Sequence, residues 1–486
     1  MNDQTCHYQY DLAIIGGGPG GYESALEAAR LGMKTLLIER DALGGTCLNR
    51  GCIPTKTLLY WAEICRQAAE LPGDLPQAVN PGSAAFISAL MDRKDQVVSQ
   101  LQGGIRSLLK SAKVEVVQGH GSILGPGKIC IRDMAGRGPD NFADSGQKQV
   151  VTAHSILIAT GSVPAVPPIP GRDLPGVLTS DGLLSCREPI GSLTIIGGGV
   201  IGMEFASIYS AFGCEVTVIE AMERILPTME REFSQNLRMI LKKRGLRIEA
   251  GASVEEIRAL PEGLLSCRLK QKDQEFEASS EKILIATGRK ACTYGLIHEK
   301  AEPEVKAMAM DRGFIKVNDH FETSVPGIYA IGDVNGRLQL AHAAAAQGKW
   351  AVAAAKNRLG GSCPAVLPDL NFVPSCVYTD PEIASVGLTA DEAKARGLDA
   401  KTYKYPMSAN GKSVLTGQER SFIKLVACKE SGRLLGAQMM CARASDLISF
   451  FTEALTAELT IEELQKTIFP HPTFSEGIGE ALRLYP

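Results

Sequence analysis

Two stretches of the chain repeat one pattern of apolar runs and glycine turns. Leu12–Glu39 reads LAIIGGGPGGYESALEAARLGMKTLLIE, and Leu193–Glu220 reads LTIIGGGVIGMEFASIYSAFGCEVTVIE. They align without gaps and share every glycine of a G-x-G-x-x-G turn. Each starts as a short apolar strand, continues past the turn as a helical stretch, and ends in a second apolar strand closed by Glu. The pattern predicts two βαβ units of the dinucleotide-binding kind. Gly16 and Gly197 permit the tight turn, Gly18 and Gly199 let a pyrophosphate approach the backbone, and Gly21 and Gly202 let the helix pack closely. The phosphates then face a helix N-terminus, where unbonded N–H groups favour negative charge. Glu39 and Glu220 are placed to accept hydrogen bonds from a ribose diol.

A shorter repeat, ILIATG, occurs at Ile156–Gly161 and Ile283–Gly288. It predicts a buried strand ending in a tight turn, with Thr160, Gly161 and Gly288 at the mouths of the two nucleotide sites. Gly327–Val334 (GIYAIGDV) predicts a further strand with an acidic turn that returns the chain to the first site. Gly125–Gln149, rich in Gly, Asp and Lys, reads as exposed hairpins. Beyond Leu359 strands, turns and helices alternate without a nucleotide fingerprint, which suggests a separate α/β domain for assembly.

At 486 residues the chain exceeds one hydrophobic core, and about three domains are expected. A net charge of −3 gives no reason to expect a nucleic-acid or membrane-surface partner. The Ala-rich stretch Leu340–Ala355 is interrupted by His342, Gln347 and Lys349, so it does not read as a spanning helix. Met1–Tyr10 is polar and unlike a signal peptide, so a cytoplasmic location is expected. Most of the thirteen cysteines stand singly, as small buried hydrophobes do in a reducing compartment. No second pair sits at ligand spacing, so no metal site is expected.

Cys47 and Cys52 form the one close pair in a glycine-rich setting, GGTCLNRGCIPTK (Gly44–Lys56). In a regular helix five residues separate two Cα atoms by about 7.5 Å along the axis. A disulfide rarely spans more than about 7 Å. A bond between them therefore requires a distorted helix, for which Gly51 relaxes the backbone and Pro54 cannot donate to the carbonyl of Arg50. Held so, a disulfide would be readily reduced. The other reading is two unpaired helical cysteines.

This motif resembles that of the pyridine nucleotide–disulfide oxidoreductases, in the spelling GGTCLNxGCIPxK used by members that oxidise protein-bound dihydrolipoamide. The resemblance runs through GGGVIGMEF, TSVPGIYAIGDV, the Ala341–His342 pair, PSCVYTDPEIASVGLT and HPTFSE at His471–Glu476. It implies an α/β fold with two Rossmann-like dinucleotide-binding domains and a C-terminal α+β dimerisation domain. FAD would lie on residues 1–153, NAD on 154–282, a central domain completing the FAD site on 283–355, and the homodimer interface on 356–486.

By the same resemblance Cys47 is the interchange thiol and Cys52 the one against the flavin. Lys56 lies beside the flavin, paired with Glu204. Asp333 holds the ribityl chain, and the helix opening at Ala341 and His342 points at the ring. His471 and Glu476 are the acid–base dyad. His7, His120, His154, His298 and His320 are left as structural. The implied partners are a second copy of the chain and the lipoyl domain of a 2-oxo acid dehydrogenase complex or the glycine-cleavage H-protein. Three positions depart from the pattern: Arg50 where Val is commoner, Asp380 where His often stands, and Phe469 in place of a histidine. The rival readings are a related disulfide or mercuric reductase using NADPH, and a non-catalytic flavoprotein subunit. Glu220 and Gly202 argue against the first. The cysteine pair, Lys56 and the dyad argue against the second.

Overall fold

A computed structural model describes residues 8–71, 80–133, 148–363, 366–418 and 420–486. The chain forms two compact units, each assembled from three segments: residues 1–54, 93–165 and 289–370 in the first, and 55–92, 166–288 and 371–486 in the second.

In the first unit the strand Tyr10–Ile15 lies between Thr35–Glu39 and Lys148–Ile158, parallel to both. Glu115–Gln118 extends one edge, and Ile328–Ala330 pairs parallel with Lys148–Ile158. The central strand is apolar at every position from Leu12 to Ile15 because both of its faces are buried. Its side chains alternate between two cores. Leu12 and Ile14 pack with Leu37 and Leu157, while Ala13 and Ile15 pack with Ile38, Ile156 and Ile158. The helix Pro19–Arg30 starts with proline at its first position, where the missing N–H costs nothing.

The hairpin expected over Gly125–Gln149 is partly corrected. His120–Gly125, Lys128–Arg132 and Lys148–Ile158 form an antiparallel meander. Ile129, Cys130 and Ile131 are buried rather than exposed, and Ile129 and Ile131 close the core over Ile123 and Ala153. Residues 134–147 lie outside the described residues, as do Met1–His7.

In the second unit a parallel sheet runs in the order Arg247–Ala250, Glu215–Glu220, Ser192–Ile196, Lys282–Ile285, Val177–Thr179. A three-stranded antiparallel sheet over residues 253–280 joins it. The last segment builds a five-stranded antiparallel sheet, Ser375–Val377, Glu382–Gly387, Leu434–Cys441, Phe422–Cys428, Ala400–Pro406. Helices Ala444–Thr456 and Glu476–Arg483 contribute to its core through Ile448, Phe451, Ile478 and Leu482.

The single-cysteine reading holds for Cys65, Cys130, Cys214, Cys267, Cys292 and Cys441, which are buried. Cys186, Cys363, Cys376 and Cys428 are half-buried. The Ala-rich segment is the helix Ala341–Arg358, and no described helix is long and apolar enough to cross a membrane.

His120 is a buried structural histidine. Burial, then the charge of Arg40, pushes its imidazole from 6.5 down to about 4, against a backbone hydrogen bond at Tyr294. The folded chain therefore refuses a proton that the unfolded chain accepts below about 6.5. Its contribution to stability is complete above that pH and is lost as pH falls toward 4. His120→Gln should flatten the decline of melting temperature between pH 6.5 and 4.5, removing about 2 kcal/mol of acid sensitivity. Parallel thermal melts of both proteins across that range provide the check.

Candidate active site

The two glycine turns are built alike. Gly16 and Gly197 have φ of 108° and 112°, a region closed to side chains. A Cβ on Gly21 would come to 1.8 Å of the Gly16 carbonyl oxygen, and one on Gly202 to 1.9 Å of that of Gly197. These glycines are demanded by the protein's own packing. Gly199 is not: a Cβ there would meet nothing within 4 Å, and at Gly18 only Gly45 Cα at 3.7 Å. Both residues precede helices, Pro19–Arg30 and Val200–Ala211, that no described side chain caps. An open cradle in front of uncapped N–H groups suits a pyrophosphate.

Glu39 and Glu220 also match. Glu39 accepts from the Gly17 N–H at 2.6 Å and the Asp41 N–H at 2.8 Å, one on each carboxylate oxygen. Glu220 accepts from Gly198 and Met222, both at 2.7 Å. Each carboxylate thus ties the end of its strand to its glycine turn and keeps a lone pair on each oxygen for a hydroxyl donor. Burial raises the Glu39 carboxyl above its ordinary range, opposed by the Gly17 N–H.

Around the first turn, the Thr160 hydroxyl is buried without a hydrogen-bond partner among the described residues, as expected of a group that meets a bound molecule. Gly161 and Gly288 both take positive φ, 68° and 121°, at the ends of their strands. Asp333 accepts from the Ser162 hydroxyl at 2.5 Å, and Arg289 donates to the same hydroxyl at 2.7 Å and to the Ser162 carbonyl at 2.8 Å. Ser162 and Arg289 are absent from the sequence reading. The signal was available, because each directly follows one copy of ILIATG. Ala341 opens its helix as expected, with His342 second, and Gln347 on that helix accepts from the Gly332 N–H at 2.8 Å.

The cysteine pair sits at a real break. One short helix, Gly45–Arg50, ends at Gly51 (φ −145°, ψ −111°), and Cys52–Ala69 begins a new one. The distortion expected from spacing is therefore concentrated at Gly51. The role given to Pro54 is corrected: it lies in the first turn of the second helix, where an N–H is not needed, and is not itself the break. Cys47 and Cys52 are both half-buried. Asn49 ties the first helix to the preceding loop by donating to the carbonyls of Ala42 and Leu43 at 3.1 and 3.2 Å. Arg50, the departure from the family pattern, pairs with Asp41 in that loop. Gly45 is a further residue missed in the sequence. A Cβ there would lie 2.6 Å from Gly18 Cα, so the cysteine helix starts directly on the first nucleotide turn.

Lys56 donates to both oxygens of Glu204, at 3.0 and 2.8 Å, and Glu204 is buried. The nearby Cys376 thiol is pushed up to about 11 by burial and by Glu382, so it stays a neutral thiol at physiological pH.

His471 Nδ1 lies 2.8 Å from Glu476 Oε1, and Glu476 Oε2 accepts from the Thr473 N–H at 2.8 Å. The Thr473 N–H, then His471, holds the Glu476 carboxyl below its ordinary range. An ionised carboxylate only accepts, so Nδ1 carries the proton and Nε2 is the ring's acceptor. The His471 side chain is 78% exposed. Two departures from the family pattern have structural roles. Phe469 packs edge-on against Phe450 at 5.8 Å, and Asp380 accepts from Arg66 at 2.8 Å and Arg244 at 2.7 Å.

Comparison with known proteins identifies the family. Residues 10–348 match the family described as pyridine nucleotide-disulphide oxidoreductase, and residues 373–482 match its dimerisation domain. Proteins named dihydrolipoyl dehydrogenase from Bacillus subtilis and Thermus scotoductus are 40% and 39% identical to this chain. The first aligns over 97% of both chains, the second over 97% of this chain and 96% of its own. A solved structure, the HOCl-induced flavoprotein disulfide reductase RclA from Escherichia coli, superposes with a TM-score of 0.82 at 29% identity, covering 98% of this chain and all of the other.

The Gly18–Gly45 approach sets an expectation. Gly45 has a φ of 57°, and an added methyl must separate two backbones. Gly45→Ala should cost about 1–3 kcal/mol of stability and lower the flavin retained per purified chain. Gly103→Ala is the contrast: it lies inside the helix Ala84–Ser111, where a Cβ would meet nothing within 4 Å. It should be neutral or stabilise by about 0.5–1 kcal/mol. Thermal unfolding and visible absorbance of the two variants distinguish the cases.

Proposed function

Because this chain belongs to the pyridine nucleotide-disulphide oxidoreductase family, we propose that it is a dihydrolipoyl dehydrogenase, oxidising protein-bound dihydrolipoamide through a Cys47–Cys52 disulfide, FAD and NAD. The observation that carries this reading is the start of the cysteine helix on the first nucleotide turn, Gly45 against Gly18. That contact brings a close cysteine pair to the nucleotide cradle. The open cradles at Gly18 and Gly199, the unpartnered Thr160 hydroxyl and the two ribose-ready carboxylates fit the two cofactors.

His471 Nε2 takes the proton of one substrate thiol, and Glu476 stabilises the imidazolium that forms. The substrate thiolate attacks Cys47 Sγ. The Cys47–Cys52 bond breaks, and Cys52 leaves as a thiolate. The second substrate thiol attacks the substrate sulfur of the mixed disulfide, and its proton passes to Cys47 Sγ as that sulfur leaves. The substrate disulfide closes and Cys47 is released. The substrate has lost two electrons and two protons, and the cysteine pair has gained the electrons. FAD and NAD, when bound, would supply the two-electron acceptors that return the pair to its disulfide. Asp333, braced by Ser162 and Arg289, would hold the ribityl chain of a bound flavin, together with the helix that opens at Ala341 and His342. Lys56, fixed by Glu204, would supply it with one positive charge. Glu220 favours a 2′-hydroxyl and repels a 2′-phosphate, so NAD is preferred to NADP.

A homodimer completes the site. Ile468, Val414 and Leu415 are 94%, 63% and 62% exposed, in the region that matches the dimerisation domain and holds His471. A second copy of the chain covers these exposed apolar side chains and lends its His471 to the Cys47 of its neighbour. The natural substrate is a lipoyl group carried by a 2-oxo acid dehydrogenase complex or the glycine-cleavage H-protein, in the cytoplasm.

Purified holoenzyme should turn over dihydrolipoamide with NAD far faster than glutathione disulfide with NADPH. The reverse preference would overturn the assignment, and no turnover of either would point to a non-catalytic flavoprotein.

The shared site is tested by mixing chains. Cys47→Ser and His471→Ala homodimers should each be nearly inactive. Random mixing makes about half the dimers mixed, each with one intact site of two, so about a quarter of wild-type activity should return. If differential tags confirm mixed dimers and no activity returns, the base acts within its own chain.

A further inference from the structure

Lys56 is a point charge on four rotatable bonds, and a carboxylate partner alone does not fix the direction in which it faces. A second residue touches both members of the Lys56–Glu204 pair. The Tyr378 N–H donates to Glu204 Oε1 at 3.1 Å, and the Lys56 ammonium stands 4.3 Å from the centre of the Tyr378 ring. Two residues further on, Asp380 accepts from Arg66, which is on the same helix as Lys56, and from Arg244, which also donates to the Asp380 carbonyl at 2.9 Å. The segment 378–380 is thus tied to the lysine's helix at Arg66 and to the helix Arg231–Lys243 through its neighbour Arg244. An anion is needed at position 380 for two guanidinium groups to converge on it.

We propose that Tyr378 is a positioning residue for Lys56. Its ring closes one side of the ammonium while its peptide N–H fixes the carboxylate that holds the other. The Lys56 side chain is 31% exposed, so the ammonium keeps an open side. A partly shielded ammonium over an aromatic face gains from the ring quadrupole, which an aliphatic side chain lacks. The consequence for the flavin rests on the reading that Lys56 stands beside it. The positioning itself does not.

Two measurements on holoenzyme separate these. The first is the rate of reductive methylation of Lys56, followed by peptide mass spectrometry. Tyr378→Leu should raise it about three- to tenfold, the scale of one partly shielded cation–π contact. Tyr378→Phe should leave it at the wild-type rate. Tyr378→Met, which also lacks the ring, substitutes if the leucine variant does not fold. Equal labelling in the aliphatic and aromatic variants overturns the proposal.

The second is the flavin midpoint potential in a double-mutant cycle. Tyr378→Leu should shift it in the same direction as Lys56→Met, by less, and should add nothing in the Lys56→Met background. An undiminished shift in that background overturns the proposal, because Tyr378 would then act without Lys56. If Lys56→Met leaves the potential unchanged while the labelling rate rises in Tyr378→Leu, the positioning stands and the placement of Lys56 beside the flavin falls.

Discussion

The backbone of the first nucleotide turn lies against the start of the cysteine helix, with no room for a side chain at Gly45. Much else follows from that one approach. It joins the glycine turn to the helix that carries Cys47, since Asn49 and Arg50 bind the same short helix to the loop that follows Glu39. Glu39 closes the circuit by accepting from both Gly17 and Asp41. A chain of hydrogen bonds and one ion pair therefore runs from Glu39 to Arg50, the residue before the helix break.

The second turn repeats the first down to the backbone donor on each carboxylate oxygen, but there a buried Glu220 stands in place of a half-buried Glu39. The same device serves both turns because the requirement is the same, a loop with inward N–H groups and a strand end that can recognise a diol. What differs is what the chain builds in front of it. The first turn has the cysteine helix within reach, whereas around Gly199 no described protein atom lies within 4 Å of an added Cβ.

Charges near the chemistry are held by short, local contacts. Glu476 is kept ionised by a backbone N–H two residues from His471, so the tautomer of the histidine is fixed by its own loop. Lys56 and Glu204 come from different helices and meet only on folding, and Tyr378 reaches both. Cys376 lies close by but stays a neutral thiol.

Much of this was legible in the residues alone. The duplicated turns, the strands ending in ILIATG and the helix at Ala341 follow from local rules, since only glycine fits φ near 110° and only apolar residues suit a strand buried on both faces. The need for a distorted helix between Cys47 and Cys52 follows from covalent geometry. Which residue breaks it does not: Gly51 rather than Pro54 takes the strain, because proline is harmless in a first turn. Likewise Gly45 carries no marker of its own in a single sequence, Ser162 and Arg289 are marked only by following the two copies of ILIATG, and the burial of Ile129–Ile131 was hidden by polar neighbours. Local propensity and spacing decide which elements form and which residues can do chemistry. Only the tertiary structure decides which backbones touch, because that depends on pairs of residues far apart in the chain and on the space left between them.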